Sequence, residues 1–555
     1  MRRRLPLAAA ALAATATLAA FEIRLCSGES DLERYRFYPC NAAGMGNLSQ
    51  LANFDAAAPG AIAASSALRR EIAERRRRFR QDLSRARALK LKPLVSTDEI
   101  LLPTAVVEHL RGKITRAGDP KHVDLDREEF WDLYRAKYRE VLRDFPEIAY
   151  VMVRTGENYS YLLNGYSGQL IAERTSSKTR SETYVRNMQR LIRETRRVVA
   201  GEFGRTLIWR TWDLGNHGFH ASPEVYDRVL AGITERRGLL FSIKFTQTDY
   251  WRYNDLNPNI GRGGVDQIVE FQSAREYEGK GAFPDYTGPE HAEALRRLAR
   301  IPAVKGVWNW HFGGGWGGPH LKSDRWVRLN IESTWRLARD PALSPRKLAE
   351  EWAAREFGRR ASAKVADMLM LSSDCVLRFR YIAPYSRNNK GWLPARNLMR
   401  DDIIRGERVL GDQGGLRLLY DGSRHALPEA LAEKEQAARD ATRMRELFES
   451  ARAGIVGARG ERVYRESLNS LLYLESLARV MSHYVRGMFF YYDGQNAPAR
   501  AELLAWRDEW RRYRTVISKL EGVASLYRSL NSQQETDAGG AMEDTCEKAL
   551  AALAR

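Results

Sequence analysis

Between about residues 88 and 340 the sequence alternates short apolar runs with amphipathic helical patterns, and this alternation restricts the fold more than any other feature. The runs predicted as strands are LKLKPLV (89–95), IAYVMV (148–153), TLIWR (206–210), LLFSIKF (239–245), QIVEFQ (267–272) and VKGVWNW (304–310). Repeated strand–helix units of this length favour a parallel sheet, and their number favours a TIM-type (β/α)8 barrel over an open sheet. In such a barrel the polar segments that follow the strands gather at the C-terminal face.

The helical patterns define the rest of the domain organisation. Within the barrel, SPEVYDRVLAGITERRG has Ser222 as N-cap, Pro223 at the first helical position and Gly238 as a stop signal. From about residue 345 onward long helical patterns dominate and strand signals are few, which predicts an all-α C-terminal domain packed on the barrel. The predicted division is an N-terminal segment at 1–20, a barrel at 21–344 and a helical domain at 345–555.

The N-terminal stretch MRRRLPLAAAALAATATLAAF has three arginines followed by an apolar run from Leu5 to Ala20, which is typical of a signal peptide. We therefore expect export to the periplasm, the medium or the cell envelope, with an uncleaved membrane anchor as the alternative. Export would permit a disulfide between Cys26 and Cys40. The spacing of the four cysteines suits no metal site, and we predict neither a metal nor a cofactor.

The chain is strongly basic, with a formal net charge of +19. Nucleic acid, an anionic membrane or an anionic substrate would each fit that charge. The sequence contains no zinc-finger spacing, RNP-like strand or P-loop, so we predict no specific nucleic-acid partner. The densest basic run, ERRRRFR at 74–80, lies in a predicted helix over 68–88 and is interpreted as a solvated helix face.

Three predicted strands deliver carboxylates in polar or glycine-containing settings. YVMVRTGENYSY carries Glu157, FSIKFTQTDYW carries Asp249, and DQIVEFQSAREYEGKG carries Glu270 inside a strand-like run. Carboxylates on successive barrel strands can meet across the mouth, and glycoside hydrolysis commonly needs a protonated acid and a second carboxylate. Similar contexts are found at Asp98, Glu99, Asp213 and Asp255.

Basic residues accompany these acids at the strand ends. Arg154 precedes Glu157 by three residues, Arg210 ends the run TLIWR, and Lys244 precedes Asp249 by five. These cations would either neutralise the neighbouring acids or bind the carboxylate of an acidic sugar, for which an arginine fork is well suited.

The order of these segments resembles the α-glucuronidases of glycoside hydrolase family 67. VRTGEN is similar to the strand end that carries that family's acid, IWRTWD to its WRAF strand, KFTQTD to its KNGPID segment, and VEFQSAREYEGKG to its EFQITQEYLGQ segment. Further on, WGGPHLK resembles WTGHHLA, and NIESTWRLARDPALS follows NWYAFGRLAWDPDLS in register. The resemblance covers roughly 90–360, and the family's usual N-terminal domain is expected to be missing.

The resemblance implies a role for each matched residue. These are Glu157 as general acid, Asp249 and Glu270 as the carboxylates that activate water, Arg154, Arg210 and Lys244 as holders of the uronic-acid carboxylate, and His320 beside the sugar. Two positions depart from the family: Arg154 replaces a lysine, and Pro319 replaces the first histidine of GHH.

The function implied is an exported glycoside hydrolase that releases terminal glucuronic or 4-O-methylglucuronic acid from xylan-derived oligosaccharides by an inverting mechanism. Two alternatives stay open. One is a related barrel glycosidase acting on another acidic or neutral glycan, and the other is a non-catalytic carbohydrate-binding surface protein.

Overall fold

In a computed structural model of the chain, eight parallel strands close into one barrel in which sequence neighbours pair and the last strand pairs with the first. The strands are β1 (Ile23–Ser27), β2 (Ala42–Asn47), β3 (Lys92–Asp98), β4 (Tyr150–Arg154), β5 (Thr206–Arg210), β6 (Leu239–Lys244), β7 (Asp266–Gln272) and β8 (Val304–Trp310). The structure describes residues 21–29, 31–157, 163–171, 181–213, 218–312, 324–389, 399–400, 408–409, 411–412, 415–521 and 542–555. The predicted fold class, a (β/α)8 barrel with a helical C-terminal region, is confirmed.

The first two strands, β1 and β2, are the ones that the sequence pattern does not predict. Their segments, IRLCS and AAGMGN, contain arginine, serine and glycine in place of a β-branched run, so their strand propensity is low. The tertiary structure supplies the missing preference because each strand lies between two others in the closed sheet. A disulfide joins Cys26 in β1 to Cys40 in the link before β2, with the two Cα atoms 6.0 Å apart.

Helices connect the strands of the barrel and then form the C-terminal region. They are α1 (Ala67–Ala88), α2 (Thr104–His109), α3 (Glu128–Asp144), α4 (Glu182–Arg196), α5 (Pro223–Ala231), α6 (Gly288–Leu298), α7 (Arg325–Arg339), α8 (Pro345–Phe357), α9 (Ser362–Arg380), α10 (Ala383–Asn388), α11 (Leu416–Ser423), α12 (Leu427–Ser450), α13 (Gly457–Tyr492), α14 (Asn496–Thr515) and α15 (Met542–Leu553). A short antiparallel pair, Ile100–Pro103 with Tyr166–Gln169, lies outside the barrel.

The start of α5 is as predicted, and its end is not. Ser222 caps the helix by accepting a hydrogen bond from the Val225 backbone N–H, and Pro223 is the first helical residue. The helix already ends at Ala231, however, whereas Gly238 lies at the entrance to β6 with a φ of +73°. A side chain at Gly238 would meet the Cβ of Ala200 at 2.8 Å, so glycine is required there by the approach of two segments.

Side chains alternate between the barrel interior and the layer beneath the helices. A small apolar cluster fills the lower interior and includes Tyr150, Met152, Ile208, Leu240 and Ile268. The alternate residues of the same strands join a larger apolar cluster with the surrounding helices. Towards the C-terminal ends of the strands the inward positions become polar, and this change marks the mouth of the barrel.

Helices α8 to α15 share one large apolar cluster, which also includes residues of the barrel's last two βα units, such as Phe283 after β7 and Trp326 in α7. The helical region is therefore packed directly on the barrel. Among the described residues, no helix combines the length and the apolar character that crossing a bilayer requires. The predicted signal or anchor segment, residues 1–20, lies outside the described ranges.

Candidate active site

The three predicted cations end three neighbouring strands of the barrel. Arg154 is the last residue of β4 and lies beside Arg210, the last residue of β5, while Lys244 is the last residue of β6. Each follows inward-facing residues of its strand at intervals of two, so strand geometry directs all three side chains into the mouth. Charges in such a setting need partners, because an unpaired buried charge loses several kcal/mol of hydration.

The guanidinium of Arg210 pairs with Glu270, which is fully buried. Its Nε lies 3.0 and 3.1 Å from the two carboxylate oxygens of Glu270. Ser242 donates a hydrogen bond of 2.7 Å to Oε1 of the same carboxylate, and the Trp310 indole donates one of 3.3 Å to Oε2. The two carboxylate oxygens of Glu270 therefore accept hydrogen bonds from three protein side chains.

Lys244 pairs with Asp249 in the loop after β6. Its Nζ lies 2.5 Å from Asp249 Oδ1, and the Tyr277 hydroxyl donates a hydrogen bond of 2.5 Å to Oδ2. The ammonium group also lies 3.3 Å from the ring centroid of Trp212 and 4.9 Å from that of Tyr250. Aromatic faces attract a cation, so Lys244 is fixed on two sides and its position fixes Asp249.

The third cation, Arg154, binds Asp98 at the end of β3. Its Nε and Nη2 lie 2.9 and 2.6 Å from Asp98 Oδ1. The side chain of Arg154 is 23% exposed, whereas that of Asp98 is 1% exposed. Of the three cations, Arg154 is therefore the one that reaches furthest towards solvent.

The turn that carries Glu157 is fixed by a glycine. Gly156 has a φ of +74°, and a Cβ there would meet the Asp213 Cα at 2.3 Å and the Trp212 backbone oxygen at 2.5 Å. Thr155 Oγ1 lies 2.8 Å from the Arg210 backbone oxygen, and this contact joins the turn to the end of β5. No residue with a Cβ fits at position 156, so the backbone before Glu157 runs close to the neighbouring strand end.

A further carboxyl, Glu276, belongs to this site and was not among the predicted residues. It is buried, and the Gln272 amide donates a hydrogen bond of 2.6 Å to its Oε2. Burial and the nearby charge of Asp249 raise the pKa of Glu276 to about 8, although Lys244 and the Gln272 hydrogen bond oppose the shift. Glu276 therefore keeps its proton at neutral pH beside an acid held by an ammonium group.

Tyr250 connects these groups electrostatically. Burial raises its pKa, and the charges of Glu270, Asp249 and Glu276 raise it further while Arg210 opposes them. Its hydroxyl is buried and has no hydrogen-bond partner among the described residues. An unpaired hydroxyl is costly in a dry interior, so its place among these groups points to a ligand that would bind it.

Glu157 is also linked to this cluster. Burial lowers the pKa of Arg210, but the charges of Glu270 and Glu157 raise it, and the net result is a pKa above the ordinary value. The three predicted acids, Glu157, Asp249 and Glu270, are thus within electrostatic reach of either Arg210 or Tyr250.

Two more buried acids lie behind the Glu157 turn. The pKa of Glu99 is raised to about 8, mainly by burial, and its Oε1 accepts a hydrogen bond of 3.3 Å from the Gly156 backbone N–H. Burial also raises the pKa of Asp213 to about 7, although the backbone N–H groups of His220 and Phe219 oppose that shift. The raised pKa values at both positions reduce the negative charge behind the turn that carries Glu157.

The helical domain holds the two loops that carry Asp249 and Glu276. The Tyr381 hydroxyl, just after α9, donates a hydrogen bond of 2.8 Å to Glu278 Oε1 and accepts one of 3.3 Å from the Arg252 backbone N–H. Arg252 Nε in turn lies 3.0 Å from Glu278 Oε2. Because Arg252 follows Asp249 by three residues and Glu278 follows Glu276 by two, one residue of the second domain links both loops.

The structure thus brings together six of the seven predicted site residues: Glu157, Asp249, Glu270, Arg154, Arg210 and Lys244. The seventh, His320, lies outside the described residues. The sequence signal that could identify Glu276 is its position four residues after Gln272, the last residue of a strand. Its burial and its closeness to Asp249 were not readable from the sequence.

No protein-family model and no curated protein matches the chain. Solved structures do share its fold. A GH138 enzyme targeting pectin rhamnogalacturonan II has a TM-score of 0.56 at 10% identity, over 97% of this chain and 67% of that one. A GH89 protein from Clostridium perfringens, solved with GlcNAc-α-1,4-galactose, has a TM-score of 0.50 at 11% identity, over 96% of this chain and 58% of that one.

At these identities the likeness concerns the fold. The barrel and helical region together are an architecture that glycoside hydrolases also have. The resemblance to family 67 is carried by the short motifs and stays a prediction.

Proposed function

We propose that the protein is a glycoside hydrolase with its active site at the C-terminal mouth of the barrel. The observation that carries this proposal is the pair of buried carboxyls Asp249 and Glu276, of which Asp249 has an ammonium partner and Glu276 has a raised pKa. Lys244 and Tyr277 hold the Asp249 carboxylate, whereas burial and the Asp249 charge raise the pKa of Glu276 to about 8. Adjacent carboxyls that differ in this way are a common basis of acid–base catalysis.

In the proposed reaction Asp249 removes a proton from a water molecule as the water oxygen bonds to the anomeric carbon. The bond from that carbon to the leaving oxygen breaks, and Glu157 gives its proton to the leaving oxygen. Glu276 keeps its own proton and donates a hydrogen bond that orients the water or the sugar. An inverting outcome requires roughly 6.5–9.5 Å between acid and base.

Glu270 has a different part in this proposal from the one that the motif resemblance implies. It is fully buried, and Arg210, Ser242 and Trp310 occupy its carboxylate. We therefore assign Glu270 to positioning Arg210, and assign to Glu276 the orientation of the water or the sugar beside Asp249.

For the sugar removed, we propose a terminal glucuronic or 4-O-methylglucuronic acid from a xylan-derived oligosaccharide. Arg154 is the cation best placed to meet the sugar's carboxylate, because its side chain is the most exposed of the three. A neutral sugar is the second candidate. It is favoured by the observation that Arg154, Arg210 and Lys244 each already pair with a carboxylate of the protein.

The test is product release from aldouronic oligosaccharides and from aryl α-glucuronide, with aryl hexosides in parallel and NMR detection of the first-formed anomer. We expect uronic acid released with inversion, and a loss of about 10³-fold or more in kcat for Asp249→Ala and Glu157→Ala. Glu276→Ala should also be severely impaired. The matched control, Glu293→Ala, removes an exposed carboxyl of α6 and should keep full activity.

Turnover of hexosides but not uronides would select the second candidate. Near-normal rates in the Glu157, Asp249 and Glu276 variants would end the assignment of this mouth as a hydrolytic site. Glycan binding without any product would instead favour a non-catalytic carbohydrate-binding protein.

A further inference from the structure

A cleft opens at the N-terminal ends of β3, β4 and β5, at the opposite end of the barrel from the candidate active site. Its volume is about 830 Å³, which is within the range of ligand-binding sites. The walls are the last turns of α1, the turn after α3 and the turn before β5. We call it the basal cleft.

The basal cleft is bordered by four cations that form no ion pair with a carboxylate of the described chain: Arg80, Arg87, Lys92 and Arg205. Two acids also line it. Asp144 is already neutralised, because Arg76 forms an ion pair with it beneath the cleft wall. Only Glu147 is left to offset the four cations, so the cleft has an excess of positive charge.

Part of the positive charge of the basal cleft, on Arg205, is shielded from water. Its Nη2 donates a hydrogen bond of 2.5 Å to the Pro146 backbone oxygen, while its Nε is buried without a partner among the described residues. A buried N–H of a guanidinium group favours an acceptor, above all an anionic one. Arg87 and Lys92, in contrast, are exposed at the rim and would meet a ligand as it enters.

The shape and lining of the basal cleft favour one class of anion. A single small anion would fill only a small part of about 830 Å³, and a flat bilayer would not enter a concave site. Single-stranded nucleic acid needs exposed aromatic faces for its bases, but Phe145 is 1% exposed and Tyr150 is 7% exposed. An extended chain with carboxylates at intervals fits both the volume and the charge.

We propose that the basal cleft is a second, non-catalytic site that binds a segment of anionic polysaccharide through its carboxylates. The choice of a glycan rests on the proposed function, whereas the preference for an anion rests on the cleft alone. Binding at two ends of the barrel would hold a polymer near the mouth and raise its effective concentration there.

The experiment measures binding of the full chain to 4-O-methylglucuronoxylan and to neutral arabinoxylan by affinity gel electrophoresis and calorimetry, at about 20 and about 200 mM salt. The variant Arg87→Glu/Lys92→Glu reverses two exposed charges. It should weaken glucuronoxylan binding by about tenfold, reduce its salt dependence and leave arabinoxylan binding unchanged. Arg205→Met tests the buried contact separately.

The matched control is Arg359→Glu/Arg360→Glu, which makes the same charge change at two exposed positions between α8 and α9. It should bind like the unaltered protein. With an aryl glycoside the cleft variant should keep its kcat and KM, whereas with the polymer its KM should rise. Binding is read without turnover, so absence of any hydrolytic activity would overturn the proposed function and leave the cleft testable.

Three results would overturn the proposal. One is glucuronoxylan affinity in Arg87→Glu/Lys92→Glu that stays within about twofold of the control. The second is equal loss of affinity in the control, which would show a general effect of net charge. The third is tighter binding of duplex DNA or phosphatidylglycerol vesicles than of glucuronoxylan, lost in the same variant, which would identify another class of polyanion.

Discussion

Replacing Glu276 with glutamine should make the protein more stable, and the gain should grow with pH. Burial and the Asp249 charge raise the pKa of Glu276 from 4.5 to about 8. Between those values the folded state holds a proton that the unfolded state has released. Raising the pH therefore favours the unfolded state, by about 1.4 kcal/mol for each pH unit. Glutamine does not titrate, so the variant avoids this loss.

The magnitude follows from the width of that pH window. Across the full range from 4.5 to 8 the variant should gain on the order of 4–5 kcal/mol relative to the unaltered protein, and the gain should level off above pH 8. The substitution keeps the acceptor for the Gln272 amide, so loss of that hydrogen bond should not obscure the effect. Other buried acids, such as Glu99, are present in both proteins and cancel in the difference.

The assay is urea-induced unfolding at pH 5, 6, 7 and 8, followed by tryptophan fluorescence and circular dichroism, with free energies compared where the two transitions coincide. Glu293→Gln, at an exposed position of α6, is the control and should give a difference that does not change with pH. In an Asp249→Asn background the gain from Glu276→Gln should stop growing at a lower pH, because one cause of the raised pKa is gone. A difference between Glu276→Gln and the unaltered protein that is constant from pH 5 to 8 would refute the reasoning.

Three other perturbations test the remaining parts of the site and fold. Tyr381→Phe removes the hydroxyl that joins the two mouth loops, and it should lower kcat by about tenfold while the unfolding free energy falls by only about 1–2 kcal/mol. An unchanged kcat would contradict this linkage. Lys244→Met leaves Asp249 buried without its ammonium partner and should cost about 3–5 kcal/mol in urea unfolding, most of which Lys244→Met/Asp249→Leu should restore. Cys26→Ser removes the disulfide to Cys40, which spans a separation of 14 residues, and should lower the unfolding free energy by about 3 kcal/mol. Reduction of the unaltered protein should cause the same loss, and equal stability with and without reductant would contradict this.

The strands that could be predicted are those whose own residues favour a strand. TLIWR becomes β5 and LLFSIK becomes β6, because apolar and β-branched residues fill both faces of a strand buried between barrel interior and helices. By contrast, β2 contains two glycines in six residues and forms a strand only because β1 and β3 pair with it. Closure of the barrel is a tertiary effect, and single-strand propensity does not contain it.

The inward direction of the three cations could be predicted from alternation, but their partners could not. In the sheet Lys244 lies directly beside Glu270, yet the side chain of Lys244 reaches Asp249 in the following loop while Glu270 binds Arg210. Both choices depend on how the loop after β6 folds back over the mouth. For the same reason the sequence favours Glu270, which lies within a strand, over Glu276, whose importance depends on its distance from Asp249.

The helical domain supports the two loops that carry Asp249 and Glu276, and this support is a physical reason for its presence. Asp249 and Glu276 are buried acids on irregular segments, and buried polar groups hold their positions only when their surroundings are rigid. Arg252 and Glu278 supply that rigidity as a buried ion pair, and Tyr381 from the end of α9 completes it. Without the helical domain that ion pair would face water, where such a pair is worth little, and the two loops would lose their common anchor. The helical domain is therefore part of the candidate active site even though the acids assigned to the chemistry all lie in the barrel.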